Sequence, residues 1–175
     1  MKGLTIIICL ALTILAPGLG ASAKPIATRG PVPAQDTETF RHSEAGVQFE
    51  LPKGWKAKPE GAVITVSTPD DSLQMVFWVP DEETFEAAVK DLDNELGKMI
   101  KNIKSTGKAT KDTHNGMPHY GQSGTGEVDG TTIEWSVDVL AAKKVVIILT
   151  FAAPGVWEKH ANEGAKFISS IKKTA

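Results

Sequence analysis

The chain has 175 residues, of which 41% are hydrophobic, and its 19 Lys and Arg residues nearly balance its 21 Asp and Glu residues, for a net charge of −2. This length and composition are typical of one globular domain with an apolar core of its own. The charges show no long basic run, which argues against nucleic acid or anionic lipid as the main partner, because both require a concentrated positive surface.

The first 23 residues have the pattern of an export signal. Lys2 supplies a positive start, residues 4–16 form an apolar run, and Ala21 to Ala23 offer small side chains before a cleavage site. The apolar run is about 13 residues long, whereas a membrane-spanning helix needs about 20. We therefore predict a Sec-type signal peptide at 1–23 that is cleaved after Ala23, a periplasmic or secreted protein, and no stable membrane anchor after cleavage.

The segment after the signal is rich in proline and poor in apolar side chains. Pro25, Pro31 and Pro33 lie among Ala, Thr, Gly and Gln, which favours a flexible linker over residues 24–40. Residues 41–175 are then predicted to form a single domain. Its interior must be stable without disulfides, because the only cysteine of the chain, Cys9, lies in the signal.

Six segments of the domain have the pattern of strands, at residues 47–51, 62–68, 73–79, 117–128, 131–140 and 143–152. Asp129-Gly130 is a typical hairpin turn, and pairing Val128 with Thr131 across it places Trp135 opposite Gly124. The same register places Ile133 opposite Gly126, so both glycines leave room for bulky neighbours. Segment 143–152 is apolar on both faces, which predicts a central position in the sheet.

Two helices are predicted, over residues 82–103 and 154–173, each with apolar residues spaced by three or four. Asp81 is the predicted N-cap of the first helix, and Lys172 and Lys173 are predicted in the last turn of the second. The fold class that follows is α+β, with a largely antiparallel sheet of about six strands flanked by helices in a three-layer α/β/α sandwich.

The residues Gly46 to Trp55 (GVQFELPKGW), Asn115 to Pro118 (NGMP) ahead of Gly124 to Gly126 (GTG), and a closing helix that ends in Ser169-Ser170-Ile171 resemble the PsbP-like superfamily. The resemblance covers residues 44–173. It implies an antiparallel sheet between helical layers and an accessory or binding role rather than catalysis. The matching positions are folding positions, so the resemblance carries no functional residue to this chain.

The sequence carries only weak enzyme motifs. The cluster Gly121 to Gly126 has the glycine spacing of a phosphate-binding loop but continues as Glu127-Val128, without the required Lys and hydroxyl. His119, Ser123, Ser136 and Asp138 share one face of the predicted hairpin, which keeps a hydrolase as the third hypothesis. His119 and Ser123 are four residues apart on one strand, about 13 Å, when a nucleophile and its base need about 3 Å.

Metal binding is the second hypothesis. His114 and His119 bracket the turn at Asn115-Gly116, and Asp138 lies across the hairpin, so these three residues are the candidate ligands of zinc or copper in a periplasmic metal-binding protein. Their spacing matches no standard ligand motif. The first hypothesis has no cofactor and no metal.

The first hypothesis is an exported, non-enzymatic binding or accessory protein of the cell envelope, whose partner is another envelope protein or a small ligand. Two features favour it. The predicted hairpin has a polar face that need not be buried, formed by Thr125, Glu127, Thr132, Glu134, Ser136 and Asp138. A ligand groove between the sheet and a helix would be lined by Trp55 or Trp157.

Overall fold

A computed structural model describes residues 38–174. The predicted signal peptide and residues 24–37 of the predicted linker lie outside the described residues. The elements in chain order are β1 (Glu38–His42), β2 (Val47–Leu51), β3 (Lys56–Glu60), β4 (Val63–Ser67), β5 (Leu73–Trp78), α1 (Phe85–Met99), β6 (Lys101–Ser105), β7 (Thr110–His114), β8 (Met117–Val128), β9 (Thr131–Ala141), β10 (Val145–Ala152), α2 (Val156–Lys159), α3 (Ala161–Ser170) and β11 (Lys172–Lys173).

The strands form two antiparallel sheets. The large sheet has eight strands in the order β3-β4-β5-β10-β9-β8-β6, with β7 also paired to β8, and the small sheet has the order β1-β2-β11. β10 lies between β5 and β9, and every one of its residues is buried, which confirms its predicted central position. The α+β class is confirmed, but the count of about six strands is wrong, because eleven strands occur within residues 38–174.

The five strands that were not predicted share one physical property. β1, β3, β6, β7 and β11 are edge strands that expose most of their side chains, so they lack the alternation of apolar and polar residues that marks a half-buried strand. β1 also shifts the start of the folded part. β1 begins at Glu38, so its first three residues lie inside the segment 24–40 that was predicted to be linker.

The large sheet has a helix on one face and a mixed layer on the other. The apolar core on the second face joins β2 and α3 to the sheet, with the rings of Phe49 and Phe77 4.9 Å apart and those of Phe49 and Phe167 5.2 Å apart. The first face is covered by α1, whose Ala88, Leu92 and Leu96 are buried. The predicted three layers are therefore present, but one outer layer contains the small sheet as well as helices.

Both helices are shorter than predicted. α1 begins after Thr84, whose hydroxyl accepts a hydrogen bond from the Ala87 N–H at 3.2 Å, so Thr84 and not Asp81 is the N-cap. α1 ends at Met99, because the backbone becomes extended at Ile100 and continues into β6. The second predicted helix is divided at His160 into α2 and α3, and its last two lysines pair with β2 as β11.

The predicted register of the hairpin is confirmed. β8 and β9 pair with Val128 opposite Thr131, Trp135 opposite Gly124 and Ile133 opposite Gly126. A Cβ atom at Gly124 would lie 2.6 Å from the Trp135 ring and would also overlap the Lys104 carbonyl oxygen, so only glycine fits there. None of the helices in the described part of the chain is both long enough and apolar enough to cross a membrane.

Candidate functional site

A row of four hydroxyl groups crosses one face of the large sheet. Thr150 of β10 pairs with Ser136 of β9, and Ser136 pairs with Ser123 of β8. The Thr106 hydroxyl oxygen, just after β6, lies 3.5 Å from the Ser123 hydroxyl oxygen. Residues that are directly paired in a sheet point to the same face. We call these four residues the hydroxyl row.

The same line across the sheet is apolar at its other end. Thr150 also pairs with Met75 of β5, and Met75 pairs with Val66 of β4, and both of these side chains belong to the core beneath β2 and α3. One half of this face is therefore closed by the core, whereas the half that bears the hydroxyl row is polar. The predicted polar face of the hairpin therefore lies outside this core.

A groove of about 370 Å³ lies over the hydroxyl row. The neighbouring row of the sheet contributes Glu134 to its lining, and α2 contributes Trp157 and Glu158. This volume lies within the range of about 300–1,000 Å³ that is usual for small-molecule sites. The groove is a cleft between the sheet and α2.

Of the two tryptophans predicted for such a groove, only Trp157 lines it. Its indole packs on Gly164 of α3, where a Cβ atom would lie 3.3 Å from the ring, so the missing side chain sets the position of the indole. Trp157 is half-buried. Trp55 instead belongs to the core, with its ring stacked on Phe167 at 5.7 Å.

Thr150 at the end of the hydroxyl row is buried, with only 3% of its surface exposed. Its hydroxyl oxygen is the one buried side-chain polar atom without a hydrogen-bond partner among residues 38–174. An unpaired buried hydroxyl costs about 1–3 kcal/mol, so Thr150 is a local cost to the stability of the sheet. Sequence patterns gave no sign of it, since Thr150 lies inside an apolar run.

Next to the hydroxyl row, His119 lies between two aspartates. Its Nε2 is 2.8 Å from Asp138 of β9, and its Nδ1 is 2.6 Å from Asp112 of β7. The hydrogen bond with Asp138 is the main cause that raises the pKa of His119, and Asp112 adds to it, whereas burial acts in the opposite direction. When both ring nitrogens carry a proton, His119 donates to both aspartates and links three strands.

The residues of the hydrolase hypothesis lie on one face but do not form a catalytic triad. His119 contacts Asp138 across the hairpin, yet its second nitrogen is occupied by Asp112 rather than by a serine. The nearest hydrogen-bond partner of the Ser123 hydroxyl is Thr106. A serine nucleophile needs a neighbouring base that has a free nitrogen lone pair, and His119 offers none here.

The candidate metal ligands are placed close together but are engaged with other groups. The rings of His114 and His119 are 6.1 Å apart, and Nε2 of His114 lies 3.1 Å from the Ile171 carbonyl oxygen. Between Glu38 and Thr174, no set of three or more His, Cys, Asp or Glu side chains is arranged to hold a metal ion. A site of His114, His119 and Asp138 would require these contacts to rearrange, and it stays a prediction.

Solved structures that are similar to the chain show its fold. Cyanobacterial PsbP (CyanoP) from Synechocystis is 14% identical over 86% of this chain and 99% of its own, with a TM-score of 0.56. LpqN of Mycobacterium tuberculosis, described as involved in cell envelope biogenesis, is 9% identical over 82% of this chain and 88% of its own, with a TM-score of 0.53.

A protein of unknown function from Pseudomonas aeruginosa, described as a putative regulator, is 14% identical over 77% of this chain and 94% of its own, with a TM-score of 0.52. No protein-family model and no curated protein matches the chain. The likeness to PsbP confirms a PsbP-like fold, as the sequence resemblance implied. At such identities the likeness concerns the fold alone.

Proposed function

We propose that this protein, with its PsbP-like fold, is an exported, non-enzymatic binding module of the cell envelope that holds a small ligand or a partner in the groove over the hydroxyl row. The observation that carries the proposal is the half-open sheet face. Its core half is closed by apolar side chains, and its other half holds a groove of about 370 Å³ lined by Thr106, Ser123 and Ser136.

A binding role without catalysis is supported by the chemistry of the site. The hydroxyls of the row are neutral at ordinary pH, and the one histidine nearby has both nitrogens bonded to carboxylates. Such groups donate and accept hydrogen bonds but do not supply an activated nucleophile. They suit a site that recognises its ligand and releases it unchanged.

A place in the envelope is supported by two independent observations. The first 23 residues have the pattern of a secretory signal. A structural neighbour, LpqN, is described as involved in cell envelope biogenesis, although its 9% identity makes this an analogy of fold. Export in the unfolded state also fits a domain without cysteine, since Cys9 lies in the predicted signal.

Filling the groove tests the proposal. Ser123→Trp places an indole in the hydroxyl row at an exposed strand position, and Thr113→Trp adds the same indole at an exposed position of β7, away from the groove. Immobilised mature protein is incubated with envelope extract, and the bound material is identified by mass spectrometry. We expect a species that the wild type and Thr113→Trp retain and that Ser123→Trp loses.

Two results would contradict the proposal. Retention of the same species by Ser123→Trp, with folding confirmed by circular dichroism, would place the binding surface elsewhere on the molecule. Turnover of an ester, peptide or glycoside substrate that is abolished by His119→Gln would make the protein an enzyme.

A further inference from the structure

The groove has a regular polar floor that two neighbouring strands supply. Ser123 of β8 is directly opposite Ser136 of β9, and Thr125 is directly opposite Glu134. All four residues line the groove. Paired residues in a sheet are about 5 Å apart and alternate residues of one strand about 7 Å apart, so these side chains mark the corners of a small rectangle. We call these four residues the polar floor.

The side chains of the polar floor are open to a ligand. Ser123 is exposed, and the other three residues are half-buried. The Ser123 hydroxyl oxygen lies 3.5 Å from that of Thr106, which is a weak hydrogen bond that a ligand can replace at little cost. The Gly155 N–H donates to Oε2 of Glu134 at 3.3 Å, which orders this carboxylate and leaves Oε1 to accept from a ligand.

The chemistry of the polar floor favours a ligand that is rich in hydroxyl groups. A hydroxyl both donates and accepts hydrogen bonds, whereas an ionised carboxylate only accepts. One ligand hydroxyl can therefore accept from a serine or threonine of the floor and donate to Glu134 at the same time. A ligand that carries only acceptors would leave the Glu134 carboxylate without a partner.

The charge of the groove disfavours an anionic ligand. Glu134 and Glu158 are the charged residues of its lining, and no Lys, Arg or His from the described part of the chain lines it. Both carboxylates would repel the carboxylate or phosphate of a ligand. Acidic sugars, nucleotides and other phosphates are therefore poor candidates.

Trp157 forms an aromatic wall beside the polar floor. Its indole packs on Gly164, where a Cβ atom would lie 3.3 Å from the ring, so the indole is held in place before a ligand binds. The residue is half-buried and lines the groove. The face of an aromatic ring is electron-rich and attracts C–H groups that neighbouring oxygens have made slightly positive. A sugar ring has such C–H groups on its faces and hydroxyls around its rim.

We propose, on the basis of the binding role above, that the groove binds a neutral sugar. One face of a pyranose ring lies against the Trp157 indole, and the hydroxyls on its rim bond with the polar floor. The rectangle of the floor has about the size of one such ring, so the groove takes a single sugar unit or one end of a glycan.

Titration of the mature protein with the methyl glycosides of glucose, galactose and mannose, followed by saturation-transfer NMR, tests this proposal. We expect at least one of them to bind with a Kd below about 10 mM. The corresponding uronic acid glycoside, which has a carboxylate in place of the CH₂OH group, should bind at least tenfold more weakly, because the carboxylates of the groove repel it.

Two variants and two controls locate the site. Trp157→Ala should lower the affinity for the glycoside at least tenfold, and Ser136→Ala about threefold or more. Tyr120→Ala removes a half-buried aromatic ring from the face of β8 opposite to Ser123, and Thr113→Ala removes an exposed hydroxyl outside the groove. Each control should change the affinity less than about twofold.

The proposal is overturned if none of the three glycosides binds, if the uronic acid binds as tightly as its neutral counterpart, or if Tyr120→Ala weakens binding as much as Trp157→Ala. Ser136→Ala keeps the test valid should circular dichroism show that Trp157→Ala does not fold. The binding role is tested separately by Ser123→Trp with envelope extract. Loss of a retained species there, without binding of any glycoside, would reject the sugar and keep the binding role.

Discussion

His119 shows how the chain stabilises three polar strands with one side chain. Only 15% of its side chain is exposed, and its two hydrogen bonds reach Asp112 on one neighbouring strand and Asp138 on the other. A buried charge is tolerated when it is paired and hydrogen-bonded. The sequence placed His119 and Asp138 on one face of the hairpin, but the contact with Asp112 depends on β7, an exposed edge strand that apolar periodicity does not reveal.

The charge on His119 makes the stability of the domain depend on pH. Because the partners of His119 raise its pKa above the ordinary 6.5, its contribution is complete below that value and is lost as pH rises through the raised pKa. We expect the free energy of unfolding of the wild type to fall as pH rises above the ordinary pKa of histidine, about 6.5, and through the raised pKa of His119. Urea denaturation at a series of pH values measures this.

His119→Gln should remove that part of the pH dependence. The free energy of unfolding of the variant should therefore change little with pH over the same range. His160→Gln is the matched control, because His160 packs edge-on against Trp55 and is in no ion pair of the described residues. An unchanged slope in His119→Gln would show that other groups cause the dependence.

At the scale of elements, the β8–β9 hairpin is the part that the sequence predicted best. A two-residue turn at Asp129-Gly130 specifies one register, and the alternation of large and absent side chains agrees with it. The edge strands were missed for the opposite reason. Their side chains face solvent on both sides, so neither face imposes an apolar pattern on the sequence.

Glycine at position 124 is predicted to be essential for this hairpin. Gly124→Ala should lower the free energy of unfolding by about 1–3 kcal/mol, because the new Cβ would collide with Trp135 and with the backbone of β6. Gly97→Ala is the control in α1, where nothing lies within 4 Å of the added atom. It should raise stability by about 0.5–1 kcal/mol through helix propensity.

Chemical denaturation of both variants measures the difference. Equal stability of Gly124→Ala and the wild type would mean that the strands move apart at little cost, which would contradict the close approach of β6, β8 and the Trp135 ring.

At the scale of the whole molecule, the groove was only half predictable. The polar hairpin face and Trp157 could be read from local patterns, because each depends on one element. The hydroxyl row could not. The position of the hydroxyl row depends on the register between β10 and β9, which no turn signal specified, and on Thr106, which follows the unpredicted strand β6.

The division of the chain into signal, linker and domain makes its own prediction. Expressed from the full sequence in a bacterium, the protein should accumulate in the envelope fraction with an intact mass that begins at Lys24. Ala23→Asp should block cleavage because signal peptidase requires a small residue there, whereas Ser22→Ala should have no effect. A wild-type protein that retains residues 1–23 would contradict the assignment.

The order of the large sheet makes one strand pairing, that of β5 with β10, depend on residues far apart in the chain. β3-β4-β5 and β8-β9-β10 are each runs of neighbours in sequence, whereas β5 and β10 meet only across the long intervening chain. Closing that loop costs conformational entropy that neither meander requires, because both meanders form from contacts between neighbours in sequence, and the pairing of β2 with β11 closes a second long loop. During synthesis and export, the meander β3-β4-β5 emerges while the edge of β5 is still unpaired. That edge can pair with other chains until β10, in the last third of the chain, has emerged.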